Sequence, residues 1–219
     1  MEFKQIFDGV YVVDKKLATL NLVRGRKVYD EELVEHDGKE YRLWNPYRSK
    51  LAAGIINGLK HMEIKQGSKV LYLGAATGTT SSHVSDIVGA KGTVYCVEIS
   101  ERSMRELVEL CEFRTNMLPL LKDARNVEEY KEDVGVCDVV YQDVAAPDQA
   151  DIINRNSELL KKNGLAYVAI KSQSIDVVRK PAEVFDEFLE EVSKHYKVLE
   201  KIDISPYTKM HLFAVLQKK

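Results

Sequence analysis

The chain has 219 residues, 45% of them hydrophobic and 30% charged, which is typical of a globular protein with a sizeable core. No segment approaches the roughly 18 unbroken apolar residues that a membrane helix needs, and the start of the chain lacks the apolar region of a secretory signal, so we expect a cytoplasmic protein. The formal net charge of −2 argues against a chain that grips a long polyanion by itself, because nonspecific nucleic-acid affinity comes from neutralised phosphates.

Short β-type runs fill the chain from its start to about Trp44. They are "GVYVVD", "LATLNLV", "EELVEH" and "KEYRLW", and the last two meet at Asp37-Gly38, a dipeptide that favours a tight hairpin turn. We therefore predict a small β unit over residues 1–44 and a second domain over residues 45–219.

The apolar spacing changes to a helical period in "WNPYRSKLAAGIINGLKHM". Asn45 can cap a helix, Pro46 suits the first helical position, and Leu51 and Ile55 recur at helical spacing. These signals predict a helix from Pro46 to His61.

Apolar runs then alternate with amphipathic segments. The runs are "KVLYLGA", "TVYCVEI", "NMLPLL", "CDVVYQDV" and "GLAYVAIK", and the predicted helices include "ERSMRELVELCEF" and "QADIINRNSELLKK". This alternation predicts crossover units and a mostly parallel α/β sheet. The last two runs, "KVLEKIDI" and "MHLFAVLQ", are joined by a segment too short for a helix, so we expect an antiparallel hairpin at the sheet edge.

The three cysteines do not show the spacing typical of a disulfide framework. Cys96, Cys111 and Cys137 are widely spaced and have apolar neighbours. We expect reduced core residues rather than disulfides or a zinc site, and no metal ligands are predicted.

A glycine turn follows the first strand of the sheet, in "KVLYLGAATGTT". Its glycines, Gly74 and Gly78, do not fit the dinucleotide pattern G-x-G-x-x-G, and a lone turn of this kind is a weak signal. Glu98 ends the next strand, where a carboxylate can accept from two ribose hydroxyls, and Asp123 ends a third run, where it can accept from an adenine amino group. Together they describe a nucleoside without a required pyrophosphate, which fits S-adenosylmethionine better than NAD; a plain tight turn and a helix-start carboxylate remain alternatives.

Four polar residues converge on the same edge by connectivity. Asp143 and Lys171 follow parallel strands, and Lys50 lies near the start of a helix that leads into the first strand. His211 opens an antiparallel strand, which starts where its parallel neighbours end. Each also has a structural alternative, as a solvated lysine, a loop cap or a buried histidine.

Several uncommon motifs occur together and in order: "WNPYRSKLAAGI", "VLYLGAATGTTSSHVSDIVG", "VYCVEIS", "VVYQDVAAPDQA", "AIKSQSID" and "KMHLFAV". Through them nearly the whole chain resembles the fibrillarin family of box C/D ribonucleoprotein 2′-O-methyltransferases. The resemblance implies a Rossmann-like, class I S-adenosylmethionine-dependent methyltransferase sheet after the small β unit. Eukaryotic members carry an Arg/Gly-rich amino-terminal extension, whereas this sequence starts at the β unit, so it resembles the archaeal form.

The resemblance also implies residue roles and partners. The catalytic set falls on Lys50, Asp143, Lys171 and His211. The residues around the cofactor are Gly74, Ala75, Ala76, Thr79, Thr80, Glu98, Ile99, Asp123, Ala124, Asp143 and Gln149. The implied partners are a Nop-domain scaffold protein, a kink-turn-binding ribosomal-type protein, a box C/D guide RNA and the target rRNA or tRNA, with weak RNA binding by the chain alone and no membrane.

The expected reaction is methyl transfer to a ribose 2′-hydroxyl. Lys171, with its charge balanced by Asp143, is expected to orient the 2′-oxygen and to accept or relay its proton, while Lys50 and His211 place the ribose and the adjacent phosphate. Two alternatives stay open: a methyltransferase for small molecules or proteins, and a ribonucleoprotein subunit without turnover.

Overall fold

The computed structural model describes residues 2–219, and its amino-terminal part is a five-stranded antiparallel sheet in the order β1-β2-β3-β5-β4. The strands are β1 (Phe3–Phe7), β2 (Val10–Val13), β3 (Lys16–Leu20), β4 (Leu33–His36) and β5 (Lys39–Leu43). Asp37 and Gly38 have φ of 48° and 71°, so they form the expected tight turn between β4 and β5. The sequence prediction did not single out β1, because Lys4 and Gln5 interrupt its apolar pattern.

The rest of the chain forms a seven-stranded sheet in the order β11-β12-β10-β9-β6-β7-β8. Its strands are β6 (Lys69–Leu73), β7 (Thr93–Glu98), β8 (Met117–Leu121), β9 (Cys137–Gln142), β10 (Leu160–Lys171), β11 (Tyr196–Asp203) and β12 (His211–Lys218). The pairs among β6 to β10 are parallel, whereas β12 is antiparallel to both β10 and β11. The predicted α/β sheet with an antiparallel carboxyl-terminal hairpin is confirmed.

Helices cover both faces of this sheet. They are α1 (Lys50–Ile56), α2 (Thr79–Val88), α3 (Glu101–Cys111), α4 (Lys131–Val134), α5 (Gln149–Arg155), α6 (Ser172–Ile175) and α7 (Pro181–Val192). Side chains alternate across the strands, so that Tyr72 packs into one core layer and Leu71 and Leu73 pack into the other.

The first helix is shorter than predicted. It begins at Lys50 rather than Pro46, because Ser49 is the residue that caps it: its Oγ accepts from the Ala52 N–H at 3.3 Å. The Asn45 side chain instead accepts from the Tyr47 N–H at 2.9 Å and forms a local turn. The helix ends at Ile56 rather than His61, just before Gly58, which has a φ of +100°.

The helix predicted in "QADIINRNSELLKK" also ends early. It stops at Arg155, a 3₁₀ turn follows over Asn156–Leu159, and the last three residues of that segment already belong to β10. Asn156 is buried, and its amide donates to the carbonyls of Ile152 and Ala124, each at 2.9 Å. These two bonds hold Asn156 at the point where the α-helix gives way to the 3₁₀ turn.

A buried ion-pair network joins the small sheet to the larger one. Asp86 of α2 lies 2.8 Å from the guanidinium of Arg42 in β5 and 2.6 Å from that of Arg114 after α3. Glu31 also binds Arg42, at 2.7 Å, and all four side chains are essentially excluded from solvent. The small sheet is therefore fixed against α2. The predicted boundary between the two domains after residue 44 stays a prediction.

No helix within residues 2–219 combines the length and apolar character needed to cross a membrane.

The three cysteines lie in or beside the core. Cys96 and Cys137 are buried and Cys111 is partly buried, each with a free thiol in an apolar environment. The cysteines pack as ordinary core residues.

His83 of α2 is fully buried beside this network. Its Nδ1 lies 2.8 Å from Thr19 Oγ1, its Nε2 lies 2.7 Å from the Tyr29 hydroxyl, and its ring stacks on Trp44 with centroids 4.8 Å apart. Burial lowers the pKa of His83 well below 6.5, and the nearby guanidinium groups of Arg42 and Arg114 lower it further. The folded protein therefore holds this imidazole neutral.

Because the unfolded chain binds a proton at His83 near pH 6.5 and the folded chain does not, the free energy of unfolding should fall as pH drops below that value. The slope from this residue is about 1.4 kcal/mol per pH unit at most. Urea denaturation at pH 7.5, 6.5 and 5.5 measures it. His83→Gln should flatten the profile, while His195→Gln, which removes an exposed histidine, should not; a parental slope in His83→Gln would contradict the assignment.

Candidate cofactor and catalytic site

The glycine turn after β6 brings two parts of the backbone unusually close. Gly74 has a φ of +80°, and a Cβ there would lie 2.9 Å from the carbonyl oxygen of Asp143. Gly78 has a φ of +95°, and a Cβ there would lie 2.4 Å from a methyl group of Leu110. Both positions therefore require glycine. The first close approach places the turn directly against the residue that follows β9.

Glu98 at the end of β7 supports this turn. Its Oε2 accepts from the Ala76 N–H and its Oε1 from the Ser100 N–H, both at 2.8 Å, and the residue is only 8% exposed. A carboxylate has about four lone-pair positions, so two backbone bonds leave capacity for two hydroxyl donors. Sequence reasoning predicted the hydroxyl acceptor and missed the support of the turn.

A cavity of about 320 Å³ opens beside the turn, within the usual range of small-molecule and cofactor sites. Its lining includes these predicted residues: Gly74, Ala76, Glu98, Ile99, Asp123, Ala124, Asp143 and Lys171. Ile99 is 61% exposed, and Val97, Ala124 and Ile152 add further apolar surface. Apolar walls together with the carboxylates of Glu98 and Asp123 suit a flat base joined to a ribose, so the residues present fit a nucleoside.

Three other predicted cofactor residues do not line the cavity. Ala75 is buried, and its N–H donates to the Val97 carbonyl at 3.2 Å. Thr79 and Thr80 form the first turn of α2, directly after the glycine turn. A cofactor contact at each of these three residues stays a prediction.

Gln149 also lies outside the lining. It is fully buried, its Nε2 donates to the carbonyls of Ala146 at 3.0 Å and Lys171 at 3.3 Å, and its Oε1 accepts from the Lys171 N–H at 3.2 Å. Its amide is thus occupied by backbone groups, and it fixes the end of β10. The motif match assigned it to the cofactor; its position gives it a role in holding Lys171.

The structure brings Lys50, Asp143 and Lys171 together. Lys50 Nζ lies 2.9 Å from Asp143 Oδ2, and Lys171 Nζ lies 2.8 Å from Asp143 Oδ1. Lys171 Nζ also donates to the Asp143 carbonyl at 2.7 Å. All three side chains are largely buried, and one carboxylate serves two ammonium groups, of which Lys171 lines the cavity with Asp143.

His211 is the first residue of β12 and pairs in register with Lys171. Its Nδ1 lies 2.7 Å from the Lys209 carbonyl, which can only accept, so Nδ1 carries the proton and Nε2 is left as an acceptor. Burial lowers the pKa of His211 below 6.5, and the positive charges of Lys50 and Lys171 act in the same direction. This imidazole is therefore neutral at pH 7.

Sequence reasoning missed two charged residues of the lining, Lys122 and Arg125. Arg125 lies between Asp123 and Asp148, and its Nε and Nη2 each bind Asp148 at 2.7 Å. The signal was present, since Arg125 is two residues after a predicted adenine ligand and Asp148 directly precedes Gln149. The pairing itself depends on the tertiary contact between two loops.

Comparison with known proteins identifies relatives across the whole chain. A family model described as Fibrillarin matches residues 1–219. The "Fibrillarin-like rRNA/tRNA 2'-O-methyltransferase" of Pyrococcus furiosus is 49% identical, with 98% of this chain and 97% of that protein covered. Aeropyrum pernix fibrillarin, solved with natively bound S-adenosyl-L-methionine, has a TM-score of 0.91 at 40% identity, covering 99% of this chain and 98% of that one. A fibrillarin/Nop5p complex has a TM-score of 0.90 at 37% identity, covering 99% and 100%.

Glu98→Ala should weaken the binding of S-adenosylmethionine, the cofactor that the sequence predicts, because it removes a charged acceptor from the cavity. The expected loss is about 1.5–3 kcal/mol, measured by titration calorimetry. Glu98→Gln keeps the shape of the side chain and should lose less, and Glu101→Ala, an exposed change in the first turn of α3, should lose nothing. Parental affinity in a folded Glu98→Ala protein would remove Glu98 from the site.

Proposed function

The chain belongs to the fibrillarin family, and from that membership we propose that it transfers the methyl group of S-adenosylmethionine to ribose 2′-hydroxyls of rRNA and tRNA, as the catalytic subunit of a box C/D ribonucleoprotein. The observation that carries the proposal is the Asp143 carboxylate, which holds Lys50 and Lys171 beside a cavity suited to a nucleoside. A methyltransferase for catechol-type substrates would instead need metal-binding carboxylates here.

The chemistry requires alignment and the removal of one proton. When bound, S-adenosylmethionine supplies an activated methyl group on its sulfonium. Lys171 lines the cavity and is fixed at both ends, by Gln149 at its backbone and by Asp143 at its Nζ, so it can hold a 2′-oxygen in a defined place. Lys50, on the other side of Asp143, can position the adjacent phosphate.

The proton of the 2′-hydroxyl needs an acceptor. An ammonium that is ion-paired with Asp143 must release its own proton before it accepts another. His211 is neutral with a free Nε2, so it can accept at once. Lys171 therefore orients and relays the proton, and His211 is the group on which the relay can end.

The low net charge of the chain indicates that it needs partners to select its RNA target. A 2′-hydroxyl occurs on every nucleotide and carries no sequence information, and a chain of net charge −2 has little general affinity for phosphates. The choice of nucleotide is delegated to pairing with a box C/D guide RNA. A Nop-domain scaffold, supported by the solved fibrillarin/Nop5p relative, and a kink-turn-binding protein bring the guide to this chain.

Lys171→Ala should lower the rate of methyl transfer by about 10²–10⁴-fold, because it removes a positioned proton-transfer group. Single-turnover kinetics on assembled particles measure the rate, and titration calorimetry should show cofactor affinity near that of the parent. Lys162→Ala removes an exposed lysine from the opposite end of the same strand and serves as the control. A rate within about threefold of the parent would assign the role to another residue.

The purified chain should bind S-adenosylmethionine yet leave naked RNA essentially unmethylated. Activity should appear only when the scaffold, the kink-turn protein and a box C/D guide are all present, because each supplies part of the recognition. Tritiated methyl transfer with each component omitted in turn, at physiological salt, tests this. Efficient and site-selective methylation by the chain alone would overturn the delegation of recognition.

A further inference from the structure

Arg125 links two loops that both contribute to the lining of the cavity. It belongs to the loop 122–126 after β8, and it binds Asp148 at the end of the loop 143–148 after β9. Its Nε lies 2.7 Å from Asp148 Oδ2 and its Nη2 lies 2.7 Å from Asp148 Oδ1. This is a bidentate, charge-assisted pair, the strongest kind of arginine–carboxylate contact. The two parallel bonds also fix the orientation of the guanidinium.

The same guanidinium also reaches Asp123. Arg125 Nη1 lies 3.3 Å from Asp123 Oδ2 and 3.4 Å from Oδ1, and the Arg125 N–H donates to Oδ1 at 2.9 Å. Oδ1 is therefore the more committed oxygen, and Oδ2 keeps more capacity to accept from a ligand.

We propose that Arg125 is a positioning residue for the cofactor: with Asp148 it pins the two loops together and orients Asp123 to accept from the 6-amino group of adenine. The inference rests on the proposed placement of S-adenosylmethionine in this cavity. Asp148 directly precedes Gln149, which holds the backbone of Lys171. One short segment thus fixes the adenine end of the site and the catalytic end.

The competing reading is a surface ion pair of no consequence for binding. Arg125 is 38% exposed, and exposed pairs commonly contribute little to stability. The chain offers a matched control in Arg155, which pairs with Asp151 at the same distance of 2.7 Å on α5 but does not line the cavity. A role at the cavity predicts different behaviour for the two arginines.

The test measures binding to the full chain by titration calorimetry, with two probes. One is S-adenosylhomocysteine, and the other is its inosine analogue, in which a carbonyl oxygen replaces the 6-amino group. Arg125→Ala should weaken binding of the adenine probe about tenfold to a hundredfold, which is the loss expected for a hydrogen bond to a charged group. The same change should weaken binding of the inosine probe by less than about threefold. Arg125→Lys cannot make the bidentate contact and should lie between. Arg155→Ala should match the parent with both probes.

The ratio of the two affinities separates orientation of Asp123 from general support of the loops. An equal loss with both probes, or no loss with either, would overturn the proposal. Asp148→Asn leaves Arg125 in place while it removes the charged partner, so it gives the same test if Arg125→Ala fails to fold. A parent chain that binds neither probe would overturn the placement of the cofactor, and the proposed function with it.

Discussion

The Asp143 carboxylate, shared between Lys50 and Lys171, is the contact on which the catalytic side of the molecule depends. The ammonium groups lie 2.9 Å and 2.8 Å from the two oxygens of this carboxylate, and groups held so near each other repel unless an anion separates them. The fold supplies that anion through the parallel pairing of β6 and β9, whose ends can meet only because Gly74 has no side chain. The close approach of β6 and β9 and the need for an anion between the two lysines therefore both involve Asp143.

The small amino-terminal sheet has a structural part in this arrangement. Arg42 anchors it to Asp86 in the last turn of α2, and Thr19 donates to the same carboxylate at 2.9 Å. Because α2 begins directly after the glycine turn, a sheet fixed to α2 also limits the movement of the turn. Removing one member of such a buried network leaves an uncompensated charge, which costs about 3–5 kcal/mol in comparable cases.

The sequence predicted the features that depend on periodicity and chain order. Alternating runs and helices gave the parallel sheet, and connectivity alone brought Lys50, Asp143 and Lys171 to one edge. The helix start at Pro46 was wrong because a local rule favoured Asn45 over Ser49, and only the packed turn distinguishes them. The hold of Gln149 on the Lys171 backbone and the pairing of Arg125 escaped prediction for a different reason. Their partners are backbone groups or loops that approach only in the folded chain.

The Asp143 cluster is also unbalanced in charge. Two ammonium groups share one carboxylate, and a neutral His211 adds nothing, so the cluster keeps one positive charge in excess within a chain whose total is −2. A phosphodiester placed beside the cluster would supply the missing counter-charge. The net charge of −2 gives the chain no general attraction for a polyanion, whereas this cluster attracts an anion over about a Debye length. Among Lys50, Asp143 and Lys171 alone, the charges balance only when such an anion is added.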